Sequence, residues 1–135
     1  MSFPYHRRGD SSAPVLPAMV LAGGRWRRLH GYVDSGAAFS ILKVSEAKRL
    51  GLLKVRGRNM AVTAGGGRVF RISLHRLWTK IGGQRVSITY GVPRDFDVDL
   101  NLFGRRDLFQ RYRVCFDDAR GILELVPHTR AGRRK

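Results

Sequence analysis

The stretch Gly31-Tyr32-Val33-Asp34-Ser35-Gly36-Ala37 decides how this chain is interpreted. A short apolar run ends in a carboxylate, and a hydroxyl residue, a glycine and a small residue follow at once. The pattern predicts a strand that delivers Asp34 onto a tight turn, because serine and glycine favour sharp backbone bends. The Asp-Ser-Gly triplet occurs once in the 135 residues. Each chain therefore carries a single copy of this segment.

Around this stretch the chain alternates extended segments with turns. Gly23-Gly24 separates residues 17–22 from 25–33, and Gly82-Gly83 separates residues 75–81 from 84–92. Two glycines between extended segments indicate a hairpin, because both can adopt a positive φ. Residues 113–116 and 121–126 form a last predicted hairpin. These signals predict an all-β domain.

Two short helices interrupt the predicted strands. Ser45 is placed to cap a helix over residues 46–50, which Gly51 would end. Residues 105–112 form the second predicted helix. We further expect a flexible N-terminal arm over residues 1–13, one domain over residues 14–127 and a basic C-terminal tail over residues 128–135.

The net charge of +16 is extreme for this length, and 21 of the 26 basic residues are arginines. It indicates either a solvated basic surface or affinity for nucleic acid, acidic lipid or acidic protein. One cysteine excludes an intrachain disulfide and fits a reducing compartment. Without an apolar run of ~20 residues or a signal-peptide core, we expect a cytoplasmic protein without a membrane partner.

Other polar residues give no pattern that indicates a cofactor or a metal. The four histidines have no ligand spacing, and Asp95, Asp97 and Asp99 lack the glycine-bearing loop of a calcium site. Phosphate-binding and dinucleotide fingerprints are missing from the sequence. Trp26 and Trp78 lie among arginines and could stack on single-stranded nucleic acid, but aromatic residues in strands more often pack in the core. We therefore expect no cofactor and no metal.

Three elements in order carry a resemblance to a known family. They are Val33-Asp34-Ser35-Gly36-Ala37, then Ala64-Gly65-Gly66-Gly67, then Leu102-Phe103-Gly104 with the predicted helix after it. Over residues 14–127 the chain resembles the retropepsin-like aspartic proteases, which are single-domain, prokaryotic-type relatives of retroviral proteases. The resemblance implies a closed β-barrel lobe with one or two short helices. Two such lobes form one active site at a homodimer interface.

The resemblance also implies an activity and a set of site residues. Asp34 would be catalytic and would activate a water molecule together with Asp34 of a second chain, so that the homodimer hydrolyses a peptide or protein substrate. Ser35, Gly36 and Ala37 would support the active-site loop, Gly65, Gly66 and Gly67 would form a flap, and Leu102, Phe103 and Gly104 would be the hydrophobic-Gly element.

One departure from the family supports an alternative function. Most retroviral members have an acidic residue directly after the segment that corresponds to residues 34–37, whereas this chain has Ala38-Phe39. The alternative is a catalytically weak or inactive binding module with the same fold. Its basic surface would then bind nucleic acid or an acidic protein partner.

Overall fold

A computed structural model describes residues 1–63 and 65–128 of the chain, and these residues form mostly β structure. The strands are β1 (Ser2–Pro4), β2 (His6–Arg8), β3 (Ser11–Ala13), β4 (Val15–Ala22), β5 (Arg25–Val33), β6 (Ser40–Ile41), β7 (Arg58–Thr63), β8 (Val69–Ile81), β9 (Gln84–Pro93), β10 (Leu102–Phe103), β11 (Tyr112–Asp117) and β12 (Ile122–Pro127). Helical segments are α1 (Val44–Arg49), 3₁₀ turns at Leu52–Lys54 and Gly65–Gly67, and a π-helical turn at Arg105–Phe109.

Six strands close into a barrel. Their order is β4-β5-β10-β6-β9-β8, and β8 pairs back onto β4 through Met19 opposite Lys80 and Val20 opposite Thr79. Strand β7 extends the sheet outside the barrel by pairing with β8. This architecture confirms the predicted all-β class with a closed barrel and short helices.

The two glycine-pair hairpins lie where the sequence predicts them. Strands β4 and β5 end their pairing at Ala22 opposite Arg25, and β8 and β9 end theirs at Ile81 opposite Gln84. All four turn glycines have positive φ values between 54° and 85°. Side chains would strain that backbone, which explains why glycine pairs occupy both turns.

Alternate side chains of the barrel strands fill the core. The fully buried residues include Leu16, Val20, Leu29, Ile88 and Tyr90. Burying an aliphatic side chain of this size contributes about 1.5–3 kcal/mol, so the barrel interior is the main source of stability. The Tyr90 hydroxyl shares a 2.7 Å hydrogen bond with the Thr79 hydroxyl, which satisfies both buried groups.

Helix α1 begins one residue before its predicted capping serine. Lys43 occupies the N-cap position without a side-chain cap, so Ser45 does not cap the helix. The Asp97 carboxylate instead accepts the backbone N–H of Val44 at 3.0 Å. That bond and a second one from Val98 hold the pKa of Asp97 below its usual range. Gly51 follows the helix with a φ of 78°, which agrees with its predicted role at the helix end.

The second predicted helix is shorter than residues 105–112. Helical residues 110 and 111 follow the π-helical turn Arg105–Phe109, and β11 begins at Tyr112, so the helical segment ends one residue early. Inside the turn, Asp107 has a φ of 70°, so the backbone is not regularly helical there. The apolar pair Leu108-Phe109 predicts which side of this segment faces the core. It does not determine the length or the regularity of the helix.

Residues 1–13 are not the flexible arm that their polar composition indicates. Strand β1 pairs with β12, with Phe3 opposite Leu123, and β2 and β3 form a small hairpin. The alternating side chains of Met1, Phe3 and Tyr5 pack against the core. Ser2 and Pro4 separate these side chains and hide the period-two pattern, and the folded unit therefore begins before residue 14. Of the predicted basic tail, residues 129–135 lie outside the described residues.

Candidate active site

Asp34 directly follows β5 and lies beside β10. The two strands run parallel, with Leu102 opposite Tyr32 and Phe103 opposite Val33. The backbone N–H of Asp34 donates to the Phe103 carbonyl at 2.9 Å. Two of the three elements that the sequence singles out, the Asp34 loop and the hydrophobic-Gly element, are therefore in direct contact.

The loop after Asp34 fixes the direction of its carboxylate. The Gly36 N–H donates to Asp34 Oδ1 at 2.8 Å, and the Ala37 N–H donates to the Asp34 carbonyl at 3.2 Å. A Cβ atom on residue 36 would lie 3.2 Å from Oδ1, closer than most real Cβ contacts. Glycine therefore lets the backbone N–H approach the carboxylate. Asp34 is partly exposed, and Ser35 is exposed.

Gly104 connects the far side of this loop to β10. Its N–H donates to the buried Ser40 hydroxyl at 3.1 Å. The next N–H, of Arg105, donates to the Ala37 carbonyl at 2.8 Å. A Cβ atom on residue 104 would lie 2.7 Å from the Ala37 carbonyl oxygen and closer still to the Phe39 backbone. Only glycine fits at this position, so the Leu-Phe-Gly pattern has a steric cause.

Sequence reasoning misses three residues that hold this arrangement. The Ser40 hydroxyl accepts the Gly104 N–H. The Arg105 guanidinium donates a hydrogen bond to the Ser35 carbonyl at 2.7 Å. The Asp107 carboxylate accepts the backbone N–H of Thr89 at 2.8 Å, which ties the π-helical turn to β9. Ser40 is a polar residue within an apolar run, which is the one signal that could have identified it. Arg105 and Asp107 carry no comparable signal among so many charged residues.

The glycine-rich element lies at the end of a separate hairpin. Strands β7 and β8 pair up to Thr63 opposite Val69, and Gly65–Gly67 occupies the tip. Gly66 and Gly67 have φ values of 84° and 79°, and no atom lies within 4 Å of a Cβ built on either. Ala64, the first residue of the predicted element, lies outside the described residues. The tip does not line the cavity beside Asp34.

A cavity of about 450 Å³ lies beside Asp34 and Ser35. Its other walls are formed by Tyr5, Ser12, Pro14, Tyr32, Val33, Phe116 and Asp118. The N-terminal segment and the turn between β11 and β12 thus reach the candidate site.

Asp118 brings a second carboxylate to this cavity. The Tyr5 hydroxyl donates to Asp118 Oδ1 at 2.6 Å, and no hydrogen bond joins Asp118 to Asp34 among the described residues. Burial, together with the hydrogen bond and the charge of Asp118, raises the pKa of Tyr5 to about 12. Asp118 therefore acts as the acceptor for Tyr5 and is not paired with Asp34.

A larger cavity, of about 870 Å³, lies away from Asp34. It opens between the Leu52–Lys54 turn, β7 and the end of β9, and His75 and Phe96 line it. Burial lowers the pKa of His75, which favours the neutral imidazole. Asp34 and Ser35 do not line this cavity, so its size alone does not make it the active site.

The described residues hold no group of three or more histidine, cysteine, aspartate or glutamate side chains that could bind a metal ion. In the same part of the chain, no helix combines the length and apolar character needed to cross a bilayer.

Comparison with curated proteins identifies a relative of known name. The chain is 35% identical over 88 residues to DNA damage-inducible protein 1 of Phaeosphaeria nodorum. The match covers 64% of this chain but only 20% of that protein, so the chain spans about a fifth of its relative's length. No model of a known protein family matches the chain.

Comparison with solved structures identifies the same fold in a retroviral enzyme. The structure of EIAV protease in complex with an inhibitor superposes with a TM-score of 0.56 at 20% sequence identity. The match covers 77% of this chain and 92% of the viral one. The likeness confirms the predicted fold, and at this identity it extends to the fold alone.

The bond between Tyr5 and Asp118 predicts a difference in alkaline stability between the wild type and Tyr5→Phe. Tyrosine titrates near pH 10 in the unfolded chain and near pH 12 in the folded one, so folding favours the neutral phenol. Its contribution is complete below about pH 10 and is lost as the pH rises toward about 12.

Urea unfolding measured from about pH 8 to about pH 12 checks this prediction. The wild type should be more stable than Tyr5→Phe at the lower end, and the difference should shrink as the pH rises. Comparing the two proteins cancels the titration of the other tyrosines. A difference that stays constant over the whole range would contradict the assignment.

Proposed function

We propose that this chain, which has the retropepsin-like fold, is an aspartic endopeptidase whose active site forms between two copies of the chain. The placement of Asp34 carries the proposal. Its carboxylate stands at the end of a barrel strand, oriented by the Gly36 N–H and backed by β10. Such a rigid, partly exposed carboxylate on a glycine-bearing loop suits the activation of a water molecule.

Two carboxylates would act on one water molecule, one as a base and one as a hydrogen-bond donor, as in aspartic proteases generally. The ionised carboxylate takes a proton from the water, which attacks the peptide carbonyl. The protonated carboxylate donates a hydrogen bond to the carbonyl oxygen and stabilises the negative charge that develops there. Two carboxylates about 3 Å apart cannot both ionise cheaply, so they hold one proton between them.

The second carboxylate would be Asp34 of a partner chain. The sequence carries one Asp-Ser-Gly, and Asp118, the other carboxylate at the cavity, already accepts the Tyr5 hydroxyl. A two-fold axis beside Asp34 would place the same residue on both sides of the water. The exposed Ser35 would then form a hydrogen bond across the axis and link the two loops.

The substrate would be a peptide in an extended conformation, covered by the glycine tip of the β7–β8 hairpin. Gly66 and Gly67 adopt backbone conformations that other residues rarely reach, and their surroundings are open. These features suit a lid that opens and closes over a substrate. Ala38 stands where most retroviral members carry an acidic residue, so we expect the contacts to the substrate backbone to differ here.

Asp34→Asn should abolish peptide cleavage, because an amide cannot take a proton from the water or share one with a second carboxylate. Cleavage of a peptide library by the purified protein, followed by mass spectrometry at mildly acidic pH, measures the effect. We expect a loss of at least about 10³-fold with an unchanged melting temperature.

Asp118→Asn is the matched control for this experiment. It removes the other carboxylate at the cavity and leaves the proposed pair intact, so most of the activity should remain. Cleavage that survives in Asp34→Asn, or that disappears equally in both variants, would contradict the proposal.

Gly66→Ala should slow peptide cleavage if the glycine tip is a lid. Gly83→Ala provides a matched control, since Gly83 has a φ of 85° at another hairpin and also has open surroundings. Both substitutions cost roughly 1–2 kcal/mol, because a Cβ atom strains the left-handed backbone. Only Gly66→Ala should lower kcat/KM, measured with a peptide that the wild type cleaves. Equal kcat/KM values in the two variants would exclude a lid at this tip.

A further inference from the structure

Four neighbouring strands of the barrel present to solvent a surface that is separate from the Asp34 loop. In the order β5-β4-β8-β9, inward side chains fill the barrel and the alternate ones point outward. The register sets Trp78 opposite Ser87, Lys80 opposite Arg85, and Met19 between Arg28 and Lys80. We call this surface the basic aromatic face, defined by Trp26, Arg28, Arg76, Trp78, Lys80 and Arg85.

Both tryptophans of the chain lie on the basic aromatic face. Trp78 is 49% exposed and Trp26 is partly exposed, so the expectation that they pack in the core is wrong for Trp78. The Arg85 guanidinium lies 5.5 Å from the Trp26 ring centre and 5.4 Å from the Trp78 ring centre. Lys80 Nζ lies 4.1 Å from the Trp26 ring centre. Cations thus lie against both indoles on one surface.

No carboxylate neutralises these cations within the strands. All ten acidic residues of the sequence fall outside β4, β5, β8 and β9. Arg76 is oriented by neutral acceptors, the hydroxyls of Ser87 at 2.7 Å and Thr89 at 3.4 Å. Arg76 is therefore held in place, and the positive charge of this face is available to an anion.

A shallow depression adjoins the cations. Its volume is about 400 Å³, and its walls are mostly apolar with basic side chains among them. The lining residues are Pro17, Ala18, Met19, Arg28, His30, Lys80, Gly82 and Gly83. An apolar recess with cations at its edge suits a flat ring that is joined to an anionic backbone.

We propose that the basic aromatic face binds single-stranded nucleic acid. Phosphates would contact Arg28, Arg76, Lys80 and Arg85, while unstacked bases would stack on the exposed indole of Trp78 and enter the depression. In a double-stranded nucleic acid the base faces are stacked inside the helix, so a duplex would contact only the cations of this face. An anionic membrane would also be attracted by the positive charge, but its lipids have no aromatic rings that could stack on Trp78. This inference is independent of the endopeptidase activity.

Tryptophan fluorescence tests the proposal directly, because both tryptophans lie on this face. An oligo-dT of about 15 nucleotides should quench the emission, since thymine would stack on Trp78. Trp78→Ala should weaken binding at least about fivefold, and Trp78→Phe should restore most of it because a phenyl ring also stacks. The restoration by phenylalanine separates stacking from a folding defect.

Salt dependence tests the cations. Arg76→Gln combined with Arg85→Gln should reduce the log–log salt slope of binding by about 1.4, since each phosphate contact to a single strand contributes about 0.7. Arg111→Gln combined with Arg113→Gln removes the same charge from exposed positions outside the face. This control pair should leave the slope nearly unchanged.

Three results would overturn the proposal. The first is equal affinity for oligo-dT and for inorganic polyphosphate without quenching, which would reduce the binding to charge. The second is tighter binding to phosphatidylglycerol vesicles than to oligo-dT, which would make lipid the ligand. The third is an equal effect of the two arginine pairs, which would remove any special role for this face.

Discussion

The structure depends on the parallel pairing of β10 with the end of β5. This two-residue strand is inserted between β5 and β6, and the Phe103 carbonyl accepts the Asp34 N–H. Its insertion closes the barrel and at the same time sets the direction in which the Asp34 loop leaves it. Gly104 makes the insertion sterically feasible, since any side chain there would meet the backbone of Ala37 and Phe39. Barrel closure and the placement of the Asp34 carboxylate therefore both depend on the insertion of β10.

Much of the barrel could be predicted from the sequence because its signals are local. Glycine pairs between extended segments specify hairpins without reference to the rest of the chain, and both hairpins lie where predicted. The Asp34 loop and the Leu102-Phe103-Gly104 element were identified by their resemblance to a family. Their contact is long-range, and the residues that secure it, Ser40 and Asp107, are individually unremarkable in sequence.

The expectations that differ from the structure concern features that tertiary contacts decide. Residues 1–13 look disordered by composition, yet Met1, Phe3 and Tyr5 are held by packing against the core and by pairing with β12. The cap of α1 comes from Asp97, a residue far along the chain. The net charge of +16 shows that a basic surface exists, but only the strand register gathers Arg76, Lys80 and Arg85 around two tryptophans. From the sequence alone, these features look like a flexible N-terminal arm, a local serine cap and an ordinary solvated basic surface.

Mixing wild-type protein with Asp34→Asn protein at increasing ratios tests the two-chain active site most directly. Under conditions where all chains are paired and exchange freely, an equal amount of the variant should reduce peptide cleavage per wild-type chain to about half, and a threefold excess to about a quarter, because mixed dimers lack one carboxylate. Cleavage per wild-type chain that does not change at any ratio would contradict the account and place the second carboxylate within one chain.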